Sequence, residues 1–187
     1  MTIDVGTGDG RAVLAAAARY PFALALGLDA NAAAMAETSR RAAGPIRKGG
    51  LPNAAFLLVR AEVPPAELCG LASRVTVQFP WGSLLRGCTG GDPLVAAGVA
   101  RLVARSGSLD LLLAPSARDG LDGLPLGPNA VEAAIAGTFE PLGFSLSEAR
   151  PALAEEVRAS GSTWAKRLGS QRPSDRPVML VRLVRPT

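Results

Sequence analysis

Residues 4–11 read DVGTGDGR, and their reading decides the fold. Before them Thr2–Val5 is a short apolar run, and after them Arg11–Arg19 (RAVLAAAAR) is a strong helix former. A strand, a glycine-dense turn and a helix, in that order, begin a βα unit. Gly6, Gly8 and Gly10 let the chain turn sharply and bring backbone close to a bound molecule. In an open α/β sheet, ligands bind beyond the carboxyl ends of the strands, which is where this turn falls.

The same alternation continues outward. Residues 22–28 (FALALGL) read as a buried strand ending at Asp29, and 30–43 as a helix with Asn31 near its start. GPIRKGGLPN, 44–53, is a loop. Strands are expected at 54–60 and 74–79, a short helix at 65–71, a long helix at 93–105 and a strand at 109–114. A helix at 129–138 precedes strands at 144–149 and 178–184, and the stretch 151–176 between those strands is polar, partly helical and basic. Buried strands alternating with helices imply an α/β fold, a mostly parallel sheet covered on both faces. The last two strands would add an antiparallel C-terminal edge. We expect one domain over residues 1–187.

Composition narrows the function classes. Apolar residues make up 48% and charged residues 19%, as in a globular chain, and only 4% are aromatic, so each large ring is informative. Two scattered cysteines and no histidine leave no metal-ligand set, and none is expected. No run approaches the roughly 18 apolar residues of a membrane helix, so we expect a cytoplasmic protein without a membrane partner. The net charge of +4 suggests an anionic partner. The cations sit in two clusters: Arg40, Arg41, Arg47 and Lys48, then Lys166, Arg167, Arg172 and Arg176. Either cluster alone also fits a solvated face.

The glycine turn discriminates between ligands. A dinucleotide fingerprint, G-x-G-x-x-G, would want glycine where Arg11 stands. Asp4 would repel a pyrophosphate but suits a cation. S-adenosylmethionine (SAM) carries a sulfonium and an ammonium and no phosphate, so Asp4 can serve its amino group. Asp29 is placed to accept from ribose hydroxyls, and Glu62 in RAEVPP to lie beside the adenine. The alternatives are a plain tight turn with Asp29 capping the next helix, or NAD binding.

After the fourth strand comes FPWGSLL, 79–85. The Asn-Pro-Pro-aromatic clamp that many amino-methylating enzymes place there is absent, and Trp81 offers a bare indole instead. Trp164, in GSTWAKRL, offers a second. Two indoles can grip a nucleobase taken out of its stack; both could equally be core residues. The neighbours argue for the former: Trp81 stands among Pro and Gly, and Trp164 precedes Lys166 and Arg167.

Taken in order, DVGTGDGR, LDAN, KGGLPN, PWGSLLRG and STWAKRL resemble the aminoglycoside-resistance 16S rRNA methyltransferases of the kanamycin–apramycin type. The resemblance runs from Asp4 to about Arg172. It implies a Rossmann-like, class I SAM-dependent methyltransferase fold and methylation of N1 of adenine 1408 in the 16S rRNA of the small ribosomal subunit. It further implies resistance to aminoglycosides. By the same resemblance Asp4, Gly6, Gly8 and Gly10 match the donor loop, Asp29 the ribose acid and Ala61-Glu62 the adenine side. Ser83 and Ser162 match donor-pocket positions, Trp81 and Trp164 the pair holding the adenine, and Lys48 and Arg167 rRNA contacts. Members of that family carry an N-terminal extension before the glycine loop that the sequence lacks. They also tend to have two arginines one residue apart where Arg172 is followed by Pro173-Ser174, with Arg176 beyond. We expect a monomer acting on the assembled subunit. A small-molecule methyltransferase and a SAM-binding homologue without catalysis are the alternatives.

Overall fold

A computed structural model describes residues 1–161 and 177–187. Seven strands form one sheet in the order β3-β2-β1-β4-β5-β7-β6. They are β1 (Thr2–Val5), β2 (Ala25–Asp29), β3 (Ala54–Leu58), β4 (Ala72–Gln78), β5 (Val103–Leu113), β6 (Ser145–Pro151) and β7 (Met179–Val184). The first five are mutually parallel, and β7 runs antiparallel to both β5 and β6. This is the expected α/β architecture, with one refinement. The final strand inserts between β5 and β6 instead of lying at the rim.

Six helices accompany the sheet among the described residues: α1 (Arg11–Arg19), α2 (Ala32–Ala42), α3 (Gly82–Cys88), α4 (Pro93–Leu102), α5 (Pro128–Phe139) and α6 (Ala154–Ala159). None is long and apolar enough to cross a membrane. One face of the central strands, with Ile3, Val5, Val75, Val77, Leu109 and Leu111, packs on α4 and α5 through Val99, Leu102, Ile135 and Phe139. Burying each such Val, Leu or Ile is worth about 1.5–3 kcal/mol. Strand periodicity then turns Asp4 and Thr76 to the opposite face.

Four sequence readings need correction. The strand expected from residue 22 begins at Ala25, because Ala23 N–H closes a turn on the Tyr20 carbonyl and leaves Phe22 fully exposed. The Asn53 side-chain amide holds that turn by donating towards the carbonyls of Ala17, Tyr20 and Ala23. The helix expected to reach 105 stops at Leu102, and Val103 already pairs with Ala72 as strand. The pairing then jumps to Arg74 with Ser108, and Ser106 takes a left-handed φ of 58° in the loop-out between them. Helix α3 was not read from sequence at all: it begins on Gly82 and contains Gly87, both poor helix formers. Gly87 is there for packing, since a Cβ would run into Val95 of α4. The helix expected over 65–71 is a single turn, Ala66–Leu68.

On the second face an ion-pair ladder ties the antiparallel edge together. Asp110, buried, accepts from Arg74 and Arg182; Arg182 also donates to Glu148. Arg150 donates to Glu148 at 2.7 Å and grips both Glu156 oxygens at 2.7 Å, fastening α6 to β6. The Arg150 guanidinium holds the Glu156 carboxyl down at about 2, against 4.5 ordinarily. A depressed carboxyl contributes stability above its unfolded value and loses it as pH falls through the folded one. Acid should therefore loosen α6 between about pH 4.5 and 2, and Glu156→Gln should flatten that part of a plot of thermal midpoint against pH.

Candidate active site

The chain crosses from edge strand β3 back to β4 beside β1, so β1 and β4 flank the point where strand order reverses. Crevices at such points are where open α/β sheets bind ligands. Both stretches that stood out in the sequence emerge there: residues 6–10 after β1 and residues 79–81 after β4.

The glycine turn is held by Asp29. Gly8 N–H donates to Asp29 Oδ2 at 2.8 Å, and Asn31 N–H donates to Oδ1 at 2.8 Å. The helix cap is a different residue, since Asn31 Oδ1 accepts from Ala33 and Ala34 N–H. Asp29 is thus a tether at the strand end and not a helix cap, and a carboxylate keeps acceptor capacity beyond those two bonds. Gly8 has φ 58° and nothing within 4 Å of where a Cβ would be, which leaves room for a ligand against its backbone. At Gly10 a Cβ would strike the Phe56 ring and the Thr38 hydroxyl, so glycine there is a packing requirement.

Asp4 is 7% exposed. Its Oδ1 accepts from Thr76 Oγ1 at 2.6 Å and Gln78 Nε2 at 3.2 Å. Burial pushes its carboxyl up from the ordinary value, against those hydrogen bonds. Gln78 Oε1 is buried and accepts no hydrogen bond from a described residue, an acceptor left over beside a carboxylate. Asp4, Thr76 and Gln78 also line a cleft of about 480 Å³ between α1 and α6. An orphaned acceptor and a buried acid side by side fit an ammonium group, and repel a phosphate. Gln78 was missed in the sequence, where nothing marks it apart from its place at the end of β4.

Trp81 is 77% exposed and stands at the start of α3, not in the core. The same helix brings Leu84 against Gly6, where a Cβ would meet the leucine side chain. The indole turn and the glycine turn are therefore neighbours. Ser83 is exposed on the first turn of α3. Glu62 pairs with Arg60 at 3.2 Å, and the Ala61 carbonyl lies so close to α4 that only glycine fits at position 98. Gly161, where the described chain breaks off, packs by α1: a Cβ on it would lie 3.6 Å from Ala12 Cα. Ser162, Trp164, Lys166, Arg167, Arg172 and Arg176 lie outside the described residues.

Compared with known proteins, residues 1–183 match the family model described as NpmA: 16S rRNA (adenine(1408)-N(1))-methyltransferase. The chain belongs to this family. A 16S rRNA (adenine(1408)-N(1))-methyltransferase from Streptoalloteichus hindustanus is 35% identical over 179 residues, 92% of this chain and 81% of that protein. One from Escherichia coli is 29% identical over 173 residues, 89% and 79% respectively. Among solved structures, the 16S rRNA methyltransferase KamB superposes with a TM-score of 0.87 at 32% identity, over all of this chain and 87% of KamB. A tryptophan-to-alanine variant of the Catenulisporales acidiphilia 16S rRNA (adenine(1408)-N(1))-methyltransferase, solved with cosubstrate SAM, gives 0.86 at 30%, over all of this chain and 85% of that one.

In this rRNA methyltransferase chain four of the eight flagged cations fall among the described residues. Arg40 and Arg41 occupy the last turn of α2, and Arg47 and Lys48 the turn after it; all four are exposed, and none is ion-paired with a described residue. Helix α2 starts at the glycine-turn end of the sheet and runs back to the start of β3. Its far end is therefore about 16 Å away along the axis. The cluster thus lies at the opposite end of α2 from the glycine turn.

Proposed function

We propose that this enzyme transfers the methyl group of S-adenosyl-L-methionine to N1 of adenine 1408 in 16S rRNA, within the assembled small ribosomal subunit, and so confers aminoglycoside resistance. The reading rests above all on Trp81: an indole with 77% of its surface free, next to the glycine turn at the switch point, in a member of this family. Adenine N1 carries its lone pair at neutral pH, so its bond to the methyl carbon can form as the sulfur–methyl bond breaks. No general base is needed, and the absence of histidine costs nothing. SAM supplies an activated methyl on a sulfonium.

The chain's own residues supply placement. Asp4 and the free Gln78 Oε1 hold the donor's ammonium; Asp29 accepts from its ribose while tying down Gly8. Gly6–Gly10 let backbone close around it, and Ala61, Glu62 and Ser83, with Ser162, complete its surroundings. Trp81 and Trp164 stack on the adenine, each stacked base being worth about 1–3 kcal/mol. Arg40, Arg41, Arg47 and Lys48 bind phosphates remote from the base, with Lys166, Arg167, Arg172 and Arg176 as further contacts. A docking surface at the far end of α2, about 16 Å along the helix from the glycine-turn end, favours an assembled particle over a free nucleotide. The enzyme acts as a monomer on it.

The test is methyl transfer from labelled SAM to purified small subunits, followed by primer extension. A strong stop at base 1408 is expected, and free 16S rRNA should accept far less. Label without that stop, or label only in a small molecule, would defeat the proposal.

A further inference from the structure

Phe22 stands wholly in solvent, just before the N-terminal end of β2. The turn that carries it is firmly made. Tyr20-Pro21-Phe22-Ala23 closes through Ala23 N–H and the Tyr20 carbonyl at 3.0 Å, with proline at the second position, where its fixed φ suits a turn. The Asn53 amide clamps the turn further, donating at 3.0, 3.1 and 2.9 Å to the carbonyls of Ala17, Tyr20 and Ala23. A ring held this firmly in water adds nothing to the core. Single exposed apolar side chains are ordinary, but Tyr20, Leu24 and Ile46 are exposed at the same end of the sheet.

The surroundings say what would cover them. Ala25 and Ala54 are register partners, and Ala25 N–H donates to the Asn53 carbonyl at 2.8 Å. The Phe22 turn and the loop leading into β3 therefore enter the sheet side by side. Leu51 N–H donates to the Ala42 carbonyl at 2.9 Å, folding the loop that bears Arg47 and Lys48 back on the last turn of α2. Arg19 lies over the Tyr20 ring, its guanidinium carbon 5.5 Å from the centroid. Neither 19–24 nor 40–53 contains an acidic residue. Rings among cations suit a polyanion that also offers flat faces, which is unpaired nucleic acid. A second copy of this chain, docked by the same patch, would set positive charge against positive charge.

We infer that Phe22 is an rRNA-binding residue: an unpaired base stacks on its ring while Arg19 and the cations of 40–48 hold the neighbouring phosphates. This rests on the proposed rRNA substrate and adds to it a second base contact. That base is not the methylated adenine, because β2 carries the chain about 13 Å from Ala25 to Asp29 at the glycine turn. A base held so far from the reacting methyl supplies affinity and register, and no bond is made or broken there.

The test measures binding of the full chain to purified small subunits, by competition with a labelled copy, at several salt concentrations. Phe22→Ala should raise the Kd for subunits by about fivefold or more. The Kd for SAM should stay within about twofold and the thermal midpoint should not fall, since a fully exposed ring has no packing to lose. Phe22→Leu stays apolar but lacks the π-face, and should weaken binding nearly as much; Phe22→Trp should bind at least as well as the parent. All three should keep the parent's salt slope, whereas Arg47→Ala with Lys48→Ala should flatten it. Unchanged subunit affinity in Phe22→Ala, or full affinity in Phe22→Leu, would overturn the inference. So would a dimer of the parent chain in sedimentation that Phe22→Ala dissolves. If the parent binds subunits but leaves no stop at base 1408, the proposed reaction fails, and the binding series still decides whether Phe22 stacks on RNA.

Discussion

Trp81→Ala should reduce methylation of the small subunit by about fivefold to a hundredfold and leave SAM affinity within about twofold. The lower bound follows from the stacking energy, about 1–3 kcal/mol per base, when each 1.4 kcal/mol is a factor of ten. The upper bound allows for an adenine that is still reachable but no longer held in line with the methyl group. Stability should hardly change, because a side chain 77% exposed leaves little packing to lose. Steady-state transfer at saturating SAM, titration calorimetry with SAM and a thermal melt check the three statements separately. Trp81→Phe, which keeps a smaller π-face, should retain more activity than the alanine variant. Equal losses of donor affinity and rate would mean that the indole supports the glycine turn instead of the base.

The site was legible where chemistry is local. DVGTGDGR declares its own turn, and Asp29 declares itself by ending a strand. Two features escaped because they depend on residues distant in sequence. Asp4 reads as a charge near a ligand, yet its burial and its bonds to Thr76 and Gln78 arise only when β4 pairs with β1. The contact of Leu84 with Gly6 needs a helix whose glycines hide it. The basic cluster at 40–48 was found by composition but its direction was not, since charge runs carry none; the parallel crossover runs α2 away from the glycine-turn end. Similarly, alternation gave two C-terminal strands but not that β7 would slip between β5 and β6. The side chains able to pin that order, Asp110, Arg182 and Glu148, look in sequence like ordinary surface charges.

Asp4→Asn should separate binding from stability with opposite signs. The carboxyl is raised chiefly by burial, so its charged form costs the fold free energy. Stability from this group is fullest below the ordinary carboxyl value and declines as pH rises towards the elevated one. Asparagine keeps the shape and still accepts from Thr76 and Gln78 through Oδ1 while carrying no charge. Without SAM the variant should melt no lower than the parent at neutral pH, and its melting point should vary less with pH from 4 upward. SAM affinity should fall by about tenfold or more, because a hydrogen bond to a charged partner is worth about 1.5–3 kcal/mol. Calorimetry with SAM and melts with and without it read both arms. A buried acid kept at a cost to the fold is one retained for a ligand. A variant that melts well below the parent yet binds SAM unchanged would make Asp4 a structural residue and leave Gln78 Oε1 without its proposed partner.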